Sequence, residues 1–206
     1  MTFAPQYESG VEMLSLASRH PDVPTHSYRD NLWTIRLMVD DLYIGLGANL
    51  PHPRFGPPRA TLEHVLSLLP DLGLTILRRS GWYESAPVPV SDQPWYINGV
   101  VRAATDLTPR ETLARLHRIE ADLGRARGEL NAARSVDLDI LSFGNIVLEG
   151  PQPPIVPHPR MTDRAFVLLP LAEIAPDWRH PLTGVAISAL IERLPRDQVT
   201  RPLQES

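Results

Sequence analysis

The sequence predicts an α+β fold in which helices cover one face of an antiparallel sheet. Three observations carry that expectation. Apolar runs with strand-like alternation stand near residues 42–46, 73–85, 95–107 and 135–144. Two runs with helical spacing separate them, and a helical end follows from about 165 to 194. The resulting order is β-α-β-β-α-β, the ferredoxin-like arrangement.

Each element has a local reason. "LYIGLGANL" is a short apolar strand, 42–46, running into a turn at Gly47-Ala48-Asn49. It opens like a dinucleotide fingerprint, but Leu50 stands where the third glycine belongs and "PHPRFGPP" follows. No helix N-terminus is available there for a pyrophosphate, so that reading fails. "ATLEHVLSLLPDL" places Leu62, Val65, Leu66, Leu68 and Leu69 on a helical stripe that ends at Pro70. "GLTILRRSGWYES" and "WYINGVVRAATDL" read as one strand each. The best helix is "TPRETLARLHRIEADLGRAR", with Thr108 as N-cap, Pro109 at the first helical position and Glu111 completing a capping box. "SVDLDILSFG" is the last strand. Three long proline-rich loops interrupt the pattern, and loops of that length on a compact sheet are commonly functional. "PHPR" occurs in two of them, at 51–54 and 157–160, too short to be a repeat.

Residues 1–40 read differently. They show no sustained period, and Pro5, Pro21 and Pro24 lie among scattered polar residues. The expectation is a poorly ordered N-terminal extension, 1–40, ahead of one domain, 41–206.

Composition narrows the chemistry. The 206 residues contain no cysteine, which removes disulfides, thiolate metal sites and cysteine nucleophiles. All 20 basic residues are arginine, so a P-loop lysine or Schiff-base lysine is excluded. A net charge of −4 argues against a duplex nucleic-acid binder. No apolar run approaches the ~18 residues of a membrane span, and no secretory signal pattern opens the chain. A cytoplasmic monomer, with no nucleic-acid or membrane partner, is expected.

"RSVDLDILSFG" poses the sharpest question, because Asp137 and Asp139 interrupt a strand that otherwise wants burial. Residues i and i+2 of a strand share a face, about 6.5–7 Å apart, so Leu138 and Ile140 would face the core and the two carboxylates the other side. Side by side they repel unless a cation neutralises them. Hard oxygen ligands suit Mg²⁺, and a carboxylate pair can hold two ions for phosphoryl chemistry. On spacing alone, an exposed acidic face neutralised by arginines fits equally well. Arg125, Arg127 and Arg134 just upstream favour a polyphosphate, whose charge guanidinium groups match with forked hydrogen bonds. Tyr96 and Asn98 can stack on and read the edge of a heterocycle, although singly they suit strand-end packing.

Taken together, "YIGLGANL", "WYESAPV", "DQPWYINGVV", "RIEADLGRAR", "RSVDLDILSFG" and "VPHPRMTDRAFVLLPLAEIAP" resemble the 6-hydroxymethyl-7,8-dihydropterin pyrophosphokinase family over roughly 42–195. The resemblance implies a ferredoxin-like enzyme that binds ATP with two Mg²⁺ and transfers the β,γ-pyrophosphate to the pterin hydroxymethyl oxygen, releasing AMP. It implies Asp137 and Asp139 as metal ligands and Arg125 and Arg134 as catalytic arginines. Glu120, Arg127, Ile140, His158 and Arg164 would line the ATP site. Ser85, Val88, Tyr96, Asn98 and Phe166 would line the pterin site, with Tyr96 and Phe166 sandwiching the ring. Met38 stands where such an enzyme is expected to start.

The chain departs from the family pattern at "ELNAAR", 129–134, where Arg-Trp-Gly-Pro-Arg is usual. It departs again at His117, where Gln is familiar, and at Ser85-Ala86, which replace Thr-Pro. Two alternatives share the metal site: a metal-dependent nucleotidyltransferase, which would release pyrophosphate instead of AMP, and a degenerate paralogue that binds nucleotide without turnover.

Overall fold

The computed structural model describes residues 39–124 and 135–204. The expected extension 1–40 therefore lies outside the described residues except at its last two positions, as do Arg125, Arg127, Arg134 and the divergent loop 129–134.

The chain forms β1 (Val39–Ala48), α1 (Pro58–Leu68), β2 (Thr75–Arg79), β3 (Tyr83–Ser85), β4 (Tyr96–Thr105), α2 (Pro109–Asp122), β5 (Asp137–Phe143), α3 (Ala165–Ile174), α4 (Ile187–Glu192) and β6 (Thr200–Pro202). The sheet is antiparallel, ordered β5-β1-β4-β3-β6, with β2 also pairing β4. This is the βαββαβ plan with β1 and β4 at its centre.

Strand alternation decides the two faces. Leu42, Ile44, Leu46, Val101, Ala103, Leu138 and Ile140 point to one side, where Leu62, Val65 and Leu66 of α1 and Leu116 and Ile119 of α2 complete the main core. Both helices of the βαββαβ unit thus cover one face, as the sequence predicts. Tyr43, Val100 and Leu141 point to the other face, where α3 and α4 supply a second cluster through Val167, Leu168, Leu171, Ile187 and Leu190. The helical end is two helices rather than one, because Pro176, Pro181 and Gly184 interrupt it; Gly184 sits at φ 68°.

Caps behave as read. Thr108 Oγ1 accepts the Glu111 N–H at 3.3 Å and Glu111 Oε2 accepts the Thr108 N–H at 2.8 Å, closing the capping box of α2.

One predicted strand, "GLTILRRSGWYES", is split in two. Gly81 N–H turns away from β4 and donates to Glu173 Oε1 of α3 at 2.8 Å. Ser80 repairs the ladder, its Oγ accepting the Val100 N–H at 3.0 Å. Gly99 faces the break, and a Cβ there would stand 2.7 Å from the Trp82 ring. The strand β6 has no sequence counterpart among the expectations. It is three residues long and ends in Pro202, which only a sheet edge tolerates.

Candidate functional site

Asp137 and Asp139 leave the core face of β5 and line a cavity of about 530 Å³ on the opposite side of the sheet. Their partners across β1 are Gly47 and Gly45. These glycines keep the floor open: a Cβ on Gly45 would lie 3.2 Å from Leu141 Cδ2, and one on Gly47 would lie 3.3 Å from Asn98 Oδ1. The far wall comes from β4 and from the proline-rich loop 86–95.

That wall is a built polar network. Asn98 and Ser85, only 5% and 2% exposed, meet through Asn98 Nδ2 donating to Ser85 Oγ at 2.9 Å. Gln93 Oε1 accepts from both Asn49 Nδ2 at 3.2 Å and Tyr96 Oη at 3.1 Å. One amide oxygen thereby ties the end of β1 to the ring that opens β4. Phe166, at the start of α3, and Tyr96 line the same cavity although 70 positions separate them in sequence. The Arg164 guanidinium lies 5.3 Å from the Phe166 ring centroid, close enough for a cation–π contact that orders the guanidinium. Val88, 45% exposed, forms the outer lip.

The loop before α3 contributes His158. Its backbone N–H donates to Leu141 O at 2.8 Å, fastening the loop to β5. Its Nδ1 accepts the Arg160 N–H at 3.1 Å, so the proton of the neutral ring sits on Nε2, which lies 3.9 Å from Asp139 Oδ2. Burial pushes the imidazole below the usual histidine range; the Asp139 carboxylate opposes the shift, and Arg164 and Arg160 reinforce it. The first "PHPR" makes the same turn, with His52 Nδ1 accepting the Arg54 N–H at 3.1 Å. The shared tetrapeptide closes the same histidine-to-arginine turn in both loops, although only the second is entered through a cis peptide bond, Val156-Pro157.

Glu120 reaches β5 from α2. It is 4% exposed, and its Oε1 accepts the Leu138 N–H at 2.8 Å. Among the described residues β5 is an edge strand, so this donor has no strand partner there on that side, and the carboxylate pins the backbone between the two aspartates. Ile140 packs in the main core.

The structure therefore brings Ser85, Val88, Tyr96, Asn98, Asp137, Asp139, Arg164 and Phe166 to one cavity, with His158 beside Asp139. It does not bring Glu120 or Ile140 to the cavity wall. Sequence reasoning missed Gly45, Gly47, Gln93 and Arg160, which line it as well. Two glycines at i and i+2 of one strand were the available signal, since they strip a single face.

The donor set fits Mg²⁺. It offers two carboxylates on one face and, among the described residues, no group of three or more potential metal ligands. Mg²⁺ commonly takes one or two carboxylates and completes its shell with substrate phosphates and water, whereas an all-protein cage is rarely used.

Residues 43–176 match the family described as 7,8-dihydro-6-hydroxymethylpterin-pyrophosphokinase (HPPK). That span runs from β1 through α3 and contains every site residue named above. The chain belongs to the HPPK family. It is 41% identical over 152 residues to the 2-amino-4-hydroxy-6-hydroxymethyldihydropteridine pyrophosphokinase of Synechocystis, covering 73% of this chain and 74% of the relative. The Pseudomonas aeruginosa pyrophosphokinase of the same name is 39% identical over 164 residues, covering 80% of this chain and 98% of the relative. Against longer HPPK relatives the chain spans only a part: 20% of the folic acid synthesis protein of Pneumocystis carinii, at 35% identity. The wild-type HPPK-DHPS structure of Plasmodium falciparum with pteroate shares the fold at a TM-score of 0.58 and 13% identity. It covers 76% of this chain, which spans 42% of that one.

Proposed function

We propose that the β5 carboxylates and the cavity they face form the centre in which the chain transfers the β,γ-pyrophosphate of ATP to 6-hydroxymethyl-7,8-dihydropterin, a step of folate biosynthesis. The observation that carries the proposal is the meeting of Asp137 and Asp139 with Tyr96, Asn98 and Phe166 around a single hollow. One side of that hollow suits a polyphosphate and the other a flat heterocycle.

In the reaction the pterin hydroxymethyl oxygen bonds to the β-phosphorus while the bond from that phosphorus to the α-phosphate bridging oxygen breaks. AMP departs with the bridging oxygen, and the hydroxyl proton is released. Two Mg²⁺ ions held by Asp137 and Asp139 would neutralise the polyphosphate and polarise the attacked phosphorus. The chain's own residues do the positioning. Tyr96 and Phe166 hold the ring from two sides, Asn98 reads its edge with Ser85 fixing the amide, and Val88 closes the lip. His158 presents a neutral Nε2–H toward Asp139, restraining that carboxylate without protonating it. Arg164, with Arg125, Arg127 and Arg134 by resemblance, supplies cationic donors for the phosphates, which is most of what phosphoryl-type transfer asks of a protein. Glu120 acts on the ATP side through the backbone of β5, and Ile140 anchors the same strand in the core. The reading retains a cytoplasmic monomer.

The test is the product. With ATP, Mg²⁺ and the hydroxymethyl dihydropterin, AMP and pterin diphosphate should appear in equal amounts. Free pyrophosphate would make the chain a nucleotidyltransferase, and nucleotide binding without product would make it a degenerate paralogue.

A further inference from the structure

A second hollow, of about 430 Å³, lies on the same face of the sheet as the candidate active centre but at the other end of the strands. It is bounded by the start of β1, by β2 and β4, and by the segment after α3. Its volume falls in the range of small-molecule sites. Nothing in the pyrophosphoryl transfer uses it.

Its lining is cationic. Arg78, Arg102 and Arg179 face Asp41 and Asp177, leaving an excess of one positive charge. Asp41 is already engaged, its Oδ1 2.8 Å from Arg102 Nη2. Arg78 and Arg179 have no carboxylate within ion-pair distance among the described residues. Each spends one N–H on a backbone carbonyl, Arg78 on Ile174 O at 3.1 Å and Arg179 on Gly184 O at 3.2 Å. The remaining donors of both forks are available.

The deciding group is Tyr43. It is 5% exposed and lines the hollow, yet among the described residues its hydroxyl has no hydrogen-bond partner. The hydroxyl opens onto the hollow rather than being sealed in protein, and a donor facing the same space as the guanidinium groups is free to meet a ligand acceptor. Burial pushes this phenol above its usual range, with Asp41 adding to the shift and Arg102 and Arg78 opposing it, so the group remains a donor.

We propose that this hollow is a second binding site, for the phosphate group of a small molecule, held by Arg78, Arg102, Arg179 and the Tyr43 hydroxyl. Donors arriving from three strands and the segment after α3 suit a tetrahedral dianion better than a planar carboxylate, which two parallel N–H bonds satisfy.

The test uses the full chain with its candidate active centre filled by a non-hydrolysable ATP analogue, Mg²⁺ and the hydroxymethyl dihydropterin. Inorganic phosphate is then titrated calorimetrically, with acetate as the comparison anion. One additional phosphate per chain is expected. Tyr43→Phe and Arg179→Ala should each weaken it about tenfold, as the loss of a hydrogen bond to a charged group does. Arg179 is exposed, so its variant folds, and its turnover at the active centre should be unchanged. No additional phosphate, binding indifferent to both substitutions, or acetate binding as tightly as phosphate would overturn the proposal.

Discussion

Gly47 decides by absence how much room the candidate active centre has. It sits opposite Asp137 on β1, and an added methyl would press to 3.3 Å from Asn98 Oδ1. Gly47→Ala should therefore keep the fold and lower kcat/KM for the pterin by roughly 10- to 100-fold, the scale of one misplaced carbon in a fitted pocket. Steady-state kinetics with each substrate varied will check this; an unchanged pterin KM would place the ring elsewhere. The aspartates were legible because Leu138 and Ile140 alternate with them, and alternation alone assigns opposite faces. Gly45 and Gly47 left a signal in the single face of β1 that they strip. What that face opens onto, and the role of Gln93 altogether, exist only after β1 has taken its register against β4 and β5 and loop 86–95 has folded back on Asn49.

At the scale of elements, the strand that carries the two aspartates depends on a helix. Glu120 on α2 satisfies the Leu138 N–H on the unpaired side of β5, between the two aspartates. Glu120→Ala leaves that buried donor without its acceptor, at a cost of about 1–3 kcal/mol, whereas Glu120→Gln keeps an acceptor oxygen in place. Thermal unfolding should show a lower Tm for the alanine variant and a near-normal one for glutamine, with kcat following the same order. Equal Tm for both would mean that Glu120 does not support β5. The sequence made α2 plain through its capping box, and β4 and β5 through alternation. It hid the break between β2 and β3, because Gly81 is diverted by Glu173, a residue 92 positions away. It hid β6 as well, because three residues with a terminal proline carry no periodic signal.

For the whole molecule, one sheet carries the main core on one face and both hollows on the other. The family match begins at residue 43, within β1. A chain beginning at Met38 should retain AMP production and melt within a few degrees of full length. Lost activity, or a clear fall in Tm, would assign residues 1–37 to the working enzyme. The central claim is that Asp137 and Asp139 hold the two ions that let this cavity transfer pyrophosphate. It is tested most directly by counting Mn²⁺, in place of Mg²⁺, by electron paramagnetic resonance with a non-hydrolysable ATP analogue present. Wild type should bind two ions per chain. Asp137→Asn and Asp139→Asn should each bind fewer, fold normally and lose at least ~10² to 10³ in kcat; two ions and normal AMP production in both variants would contradict the account.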